Sequence, residues 1–351
     1  MGIRGLLSYL KSAERECHIN EFKQKTIAVD SFSWLFKGAD LMNPAKDDGP
    51  NSLVNYCLNN VNLLLNHDIK PIMVFDGKYL PVKKEIKELQ TERMQPREKR
   101  THIGGFKRSI RKCNTNFHPA AIRILISECQ KMKVDCIVAP YEADAQIGYL
   151  TKLGVIDAVI AEDSDLVLFG CQNIIYKLDD EGQGVLLERD KIPQDELSFD
   201  QLIYTCILAG CNYSTPLAGM SLNKAESLVK LSEEKDPIKI LEELPKDLNV
   251  TDQYKDEFMG ALAVYKHQVV FDPFEKKLVH LTEPDLKEPL EKYCTKVGTF
   301  FDDSEAYQIA IGNLNPINNI KRNYWDPKNS APHSIWSSQR RNQDDPKEGG
   351  G

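Results

Sequence analysis

At 351 residues, 41% hydrophobic and 28% charged, the chain is long enough to bury a large core, as one big domain or two. No apolar run approaches the roughly 18 residues of a membrane span, MGIRGLL lacks the apolar stretch of a secretory signal, and no Ser or Thr stands where a myristoylated Gly2 requires one. Nine scattered cysteines without a CxxC argue against a disulfide frame or a zinc site and read as reduced, mostly buried thiols of an intracellular protein.

The net charge of -7 looks wrong for a nucleic-acid binder until its distribution is counted. Residues 83–112 hold eleven Lys/Arg against four Glu, so this window carries +7 and the remainder -14. A charge run is usually a solvated loop. Beside a metal-filled acidic edge, however, the same run suits a phosphodiester backbone gripped by cations while metal ions act on one phosphate.

In chain order, residues 1–22 read as a short helix, GLLSYLKSAE. TIAVD is a strand ending in Asp30, followed by the helix SFSWLFKGADLM. Its Phe32, Trp34, Leu35 and Phe36 are core by default, although aromatics near a site also stack on bases. NSLVNYCLNNVNLLLNHDI has helical periodicity and leads into PIMVFD, a strand ending in Asp76. The basic window comes next, with Lys83, Lys84, Arg93, Lys107, Arg108, Arg111 and Lys112 as candidate phosphate contacts. Pro96 and Gly104-Gly105 break any continuous helix there, which predicts two short helical pieces or an arch.

HPAAIRILISECQKMKV resumes as an amphipathic helix. CIVA and AVIA then read as buried strands with helix-like AQIGYLTKLG between them, a βαβ unit. NIIYKL and GVLLER form a β-hairpin across DDEGQG. FDQLIYTCILAGCNYSTPLAGMSLNKAESLVKL reads as helix, loop, helix, and the backbone N–H groups of its small-residue turn (Gly219, Ser221, Lys224) form a ready phosphate site. Residues 266–325 show little periodicity apart from DSEAYQIAIGNLNP, a helix with a Gly/Asn/Pro stop, and from about Pro327 the polar composition predicts a disordered tail.

Four of these strands deliver acid at their C-terminal ends: Asp30, Asp76, the pair Glu142/Asp144 and the pair Asp163/Asp165. One Asp after a strand is ordinarily a helix cap or turn residue. Six carboxylates on one edge of an α/β sheet repel each other and raise their own pKa values unless divalent cations neutralise them. All-oxygen ligation selects Mg²⁺ or Mn²⁺, and six acids allow two ions.

With these residues placed, the chain resembles the flap endonuclease superfamily and, within it, the exonuclease 1 family. MGIRGLL, AVDSFSWLFKGA, KPIMVFDG, LPVKKE, VDCIVAPYEADAQ, EDSDLVLFGC and LAGCNY follow the family in order, from Met1 to about Asn315. The resemblance implies an α/β fold of the PIN-like 5′ nuclease type, a twisted, mostly parallel sheet flanked by helices, with a helical arch and a helix-two-turn-helix element. It further implies two Mg²⁺ ions replaceable by Mn²⁺, K⁺ at the helix-two-turn-helix, and hydrolysis of DNA near 5′ ends, nicks, gaps or flaps in nuclear repair and recombination. By the same resemblance residues 1–200 form the nuclease core, with its arch at about 78–118, residues 201–265 the DNA-binding helices, 266–326 a segment packing on the core, and 327–351 the disordered tail.

Carried over position by position, the family's acids fall on Asp30, Asp76, Glu142, Asp144, Asp163 and Asp165, its arch lysine on Lys83, and its metal-proximal amino terminus on Gly2. The departures are as informative. Asn212 replaces a further Asp and brings no charge to the second ion, and Gln90 stands where an arginine clamp is expected. Phe32 and Phe36 replace Tyr and His, the arch is short, and Ser221 replaces a glycine, at a cost if that position needs φ > 0 or close approach of the backbone to phosphate. Two functions therefore compete: a metal-dependent 5′ nuclease, favoured by six retained acids, and a nuclease-derived DNA-binding scaffold, favoured by Asn212 and Gln90.

Overall fold

The computed structural model describes residues 3, 5–41, 49–83, 85–86, 118–193, 197–232, 234–284 and 290–337. Seven strands form one sheet in the order β1-β7-β6-β5-β2-β3-β4: β1 (Glu14–His18), β2 (Thr26–Asp30), β3 (Lys70–Phe75), β4 (Asp135–Val138), β5 (Ala158–Ile160), β6 (Asn173–Tyr176) and β7 (Gln183–Glu188). β4, β3, β2, β5 and β6 pair in parallel, and β7 pairs antiparallel with both β6 and β1. The parallel strands read as uninterrupted apolar runs because both faces are covered. Ile27, Val29, Met73, Phe75, Val138 and Ile160 point to one core, and their neighbours Ala28, Ile72, Val74, Ile137 and Val159 to the other.

The first core is closed by helices α2 (Ser31–Leu41), α3 (Gly49–Asn66) and α4 (His118–Lys131). The second is closed by α1 (Leu6–Tyr9), α5 (Ala143–Lys152), α6 (Phe199–Ala209), α7 (Leu222–Leu231), α8 (Pro237–Glu243), α9 (Asp252–His267), α10 (Cys294–Val297) and α11 (Asp303–Ala310). A separate hairpin, β8 (Val269–Asp272) with β9 (Lys277–His280), lies on this second side. No helix among the described residues is long and apolar enough to cross a membrane.

The chain lays down β2, β3 and β4 in one direction and then crosses back to place β5 on the other side of β2. The sheet's switch point thus falls between β2 and β5, where open α/β sheets bind ligands. β4, α5 and β5 do form a parallel crossover, but β3 and β2 intervene between its strands, so it spans the sheet instead of joining neighbours.

Three expectations need correction. The helix of residues 1–22 is only four residues long, and Glu14–His18 is an edge strand. ERECH is too polar to read as a strand by periodicity, but pairing with β7 and the bridges from Arg15 to Glu21 and Glu188 stabilise it. Residues 266–325 contain the β8–β9 hairpin, whose four-residue strands are below the length at which alternation is legible. The stretch after Pro327 is not wholly a loose tail. Ala331, Ser334, Ile335 and Trp336 are buried on the outer strand β4, where Asp135 accepts from Ser334 Oγ at 2.5 Å and Ile335 N at 2.9 Å, and Trp336 Nε1 donates to the Cys136 carbonyl at 3.2 Å. Residues 338–351 lie outside the described residues.

Candidate active site

Four elements carry the six candidate acids to the same sheet edge. Asp30 closes β2; its carboxylate accepts from Phe32 N at 3.0 Å and from the Ser33 hydroxyl. Asp76 follows β3 and caps α5, accepting from Ala143 N at 2.8 Å. Gly77 is required behind it, since a Cβ there would overlap the carbonyls of Ala139 and Pro140. Because Asp76 caps the helix, Glu142 at its N-cap position turns its own side chain inward, and Asp144 lies in the first helical turn. Asp163 caps the short 3₁₀ turn Ser164–Val167, and Asp165, fully buried, accepts from Ile3 N at 3.0 Å and Asn212 Nδ2 at 3.1 Å.

Electrostatics show that these groups share one environment. Burial raises the Asp30 carboxyl above its ordinary range, with Asp163 adding to the shift and the Ser33 and Phe32 donors opposing it. Burial likewise holds Asp144 well up, reinforced by Asp163, Asp30 and Glu142. Asp165 is pushed up to about 7 by burial and by Asp163. Asp76 keeps solvent access at the rim, yet the protein around it, with Asp30 and Glu142, brings it to about 7. Carboxyls raised in this way, Asp76 and Asp165 to about 7, belong to a cluster whose repulsion a cation would relieve.

Lys83 is the cation nearest these acids in the described structure. Its ammonium pairs with Glu142 Oε1 and lies 5.5 Å from the Tyr213 ring centroid. Burial disfavours its charge, but Glu142, Asp144 and Asp76 outweigh that and hold it above its ordinary range. The other oxygen, Glu142 Oε2, accepts from Tyr213 Oη at 2.5 Å and Gln268 Nε2 at 3.4 Å. Tyr213, Gln268 and Ser33 were not singled out by the sequence. Tyr213 alone had a signal there, as the neighbour of Asn212 in LAGCNY.

Do these residues fit hard divalent cations? The donor set is oxygen-rich and anionic, as Mg²⁺ and Mn²⁺ prefer. No group of three or more His, Cys, Asp or Glu side chains among the described residues is set closely enough to hold an ion by itself.

Phe32 and Phe36 lie one helical turn apart on α2, rings 6.3 Å apart, with Phe36 exposed. Trp34 and Leu35 are core, as the default reading has it. In the turn before α7, Gly219 is the residue with positive φ (69°), whereas Ser221 is extended (φ -102°) and caps the helix by accepting from Lys224 N at 3.3 Å. The feared cost of a side chain at 221 is therefore absent, and a serine there is a good cap. Lys224 is exposed. Gly2, Lys84, Gln90, Arg93, Lys107, Arg108, Arg111 and Lys112 lie outside the described residues, as does most of the expected arch.

A mostly parallel sheet with acids at its strand ends and a helix-loop-helix beside them defines the 5′ nuclease fold. The catalytic core of Rad2 in complex with a DNA substrate has the same fold (TM-score 0.56, 18% identity, covering 88% of this chain and 93% of that one), as has flap endonuclease-1 from Methanococcus jannaschii (TM-score 0.51, 20% identity, 72% and 81%). The XPG N-terminal domain matches residues 1–97 and the XPG I-region residues 133–212. Exonuclease 1 of Drosophila melanogaster is 38% identical over 355 residues, 95% of this chain and 48% of that protein, and exonuclease 1 of Danio rerio is 36% identical over 92% and 42%. The chain belongs to the exonuclease 1 family of the XPG superfamily. It spans about half the length of the curated relatives it matches.

Proposed function

We propose that this protein is a divalent-cation-dependent, structure-specific 5′ nuclease, a 5′ to 3′ exonuclease and 5′ flap endonuclease acting on duplex DNA in nuclear repair and recombination. The observation that carries the reading is the convergence of Asp30, Asp76, Glu142, Asp144, Asp163 and Asp165 on one sheet edge, with Lys83 paired to Glu142. Bound Mg²⁺ or Mn²⁺ supplies activation of water and stabilisation of the leaving oxygen.

The chain's own residues do the rest. The carboxylates fix where cations and a phosphate meet, and Asn212 contributes a neutral oxygen where the family has a charge. Lys83 leaves Glu142 Oε1 to pair with the scissile phosphate, a switch of partner that couples substrate arrival to release of a ligand oxygen. Phe32 and Phe36 offer apolar faces to the terminal bases. A place for Gly2 beside bound metals rests on the resemblance; the residue that follows it, Ile3, donates its N–H to Asp165. Gly219, Ser221 and Lys224, at the start of α7, take a duplex phosphate, and Lys84, Arg93, Lys107, Arg108, Arg111 and Lys112 supply salt-sensitive backbone contacts. K⁺ at this turn rests on the resemblance alone.

The scaffold alternative is disfavoured because a binding protein has no use for so costly a cluster of like charges. The test is incubation of 5′-recessed and 5′-flap duplexes with Mg²⁺ or Mn²⁺, alongside Asp165→Ala. Nucleotide or flap release by wild type alone supports the reading; binding without cleavage in either metal overturns it.

A further inference from the structure

We propose that Gln268, assisted by Tyr213, is a positioning residue for the reaction, fixing the Glu142 carboxylate from behind so that only Oε1 faces the site. The inference deepens the nuclease reading and rests on it for the reaction, though not for the geometry. Gln268 is fully buried in the connection between α9 and β8. Its backbone is held at both ends, with its N–H donating to Val264 O at 3.3 Å and its carbonyl accepting from Leu281 N at 2.9 Å.

Its side chain meets one residue twice. Gln268 Oε1 accepts from Glu142 N at 3.2 Å, and Nε2 donates to Glu142 Oε2 at 3.4 Å. The first contact settles which way the amide faces, because a backbone N–H requires an acceptor; the second then follows from the shape of the group. Tyr213 Oη donates to the same oxygen at 2.5 Å. Two neutral donors therefore occupy Oε2 while Oε1 is left to Lys83. Donors that orient ligand carboxylates in this way commonly tune ion affinity.

A purely architectural role has its own representatives nearby. Gln146, also fully buried, exchanges two 2.8 Å hydrogen bonds with the Phe271 backbone, and Tyr149 Oη donates to Asp272 Oδ2 at 2.7 Å. These contacts tie α5 to β8 without touching a carboxylate of the site. They serve as internal controls.

The experiment compares Gln268→Met, Tyr213→Phe and Gln146→Met in the full chain. The readouts are Mn²⁺ binding without DNA, by the resonance of the free ion, duplex affinity in chelator, single-turnover cleavage and thermal melting. Gln268→Met should weaken Mn²⁺ binding and cleavage by about tenfold, with a smaller loss for Tyr213→Phe, and leave duplex affinity unchanged. Gln146→Met should lower melting alone. In a Glu142→Gln background, Gln268→Met should add no further loss of Mn²⁺ affinity. Unchanged Mn²⁺ affinity in Gln268→Met, or an equal loss in Gln146→Met, overturns the proposal. Should Gln268→Met fail to fold, Tyr213→Phe decides by the same criterion, since it removes one oxygen only. If Mn²⁺ binding by wild type depends on Gln268 and Glu142 but nothing is cut, the nuclease reading fails and the positioning role stands; cleavage with Mn²⁺ affinity unchanged in Gln268→Met separates them the other way.

Discussion

The two carboxylate pairs have the same i, i+2 spacing and opposite support. Glu142 and Asp144 straddle the start of a ten-residue helix, and Glu142 is held by a cation, a phenol and a buried amide. Asp163 and Asp165 straddle the start of a four-residue 3₁₀ turn, and Asp165 is bonded to a backbone N–H and the Asn212 amide. Glu142 thus has a charged contact beside its neutral ones, whereas the donors to Asp165 are neutral dipoles. On the proposed reading the pairs are one site, with a switchable side at Lys83–Glu142 and a permanent side at Asp165, which the first test addresses. Alanine at Asp144 or at Asp165 should each slow single-turnover cleavage about a thousandfold or more, roughly 4 kcal/mol, and the double variant should be little worse. Additive losses would mean that the pairs act separately.

The switchable side makes a prediction of opposite signs. Lys83→Ala should slow cleavage about a hundredfold, the scale of one lost transition-state contact. At the same time it should tighten Mn²⁺ binding without DNA, because Glu142 loses its internal counter-ion. Weaker Mn²⁺ binding in that variant would show Lys83 to be a support for Glu142 instead of its competitor.

The permanent side should be visible in stability. In the folded chain the Asp165 carboxyl lies at about 7 against an ordinary value of 3.8. Between these values the folded protein holds a proton that the unfolded chain has released, so stability is greater near pH 4 and falls as pH rises toward 7. Without divalent cations, melting should decline across this window, and Asp165→Asn should recover on the order of 2 kcal/mol at pH 7.5. A variant less stable than wild type at that pH would contradict the assignment.

The smallest effect sharpens the neutral support itself. Asn212→Asp exchanges a donor to Asp165 for a like charge, so melting at pH 7.5 in chelator should fall. With ions present the added charge should lower the Mg²⁺ needed for half-maximal cleavage by about tenfold, the scale of one charge-assisted contact. An unchanged metal requirement would place Asn212 outside the ion's reach.

The parts of this molecule legible in sequence are those where one physical demand shapes a run of residues. TIAVD, PIMVF and AVI are buried on both faces, so their strands and terminal acids announce themselves. VVFD was illegible because a four-residue hairpin strand is too short to show alternation, and ERECH because an edge strand owes its state to a partner far along the chain. Tyr213 and Gln268 were hidden for the same reason, since Gln268 lies 126 residues from the carboxylate it holds. The docked Ile335 and Trp336 sit in a polar context that composition reads as tail, although Asp135 and the Cys136 carbonyl fix them to β4.

If these six carboxylates form one divalent-ion site completed by DNA, the Mn²⁺ stoichiometry at equilibrium must depend on both. Measured with and without a 5′-recessed duplex, in wild type and in the Asp144→Ala/Asp165→Ala variant, it should be about two tightly bound ions per chain with DNA, fewer without it, and none in the variant. Equal stoichiometry in wild type and variant would contradict such a site.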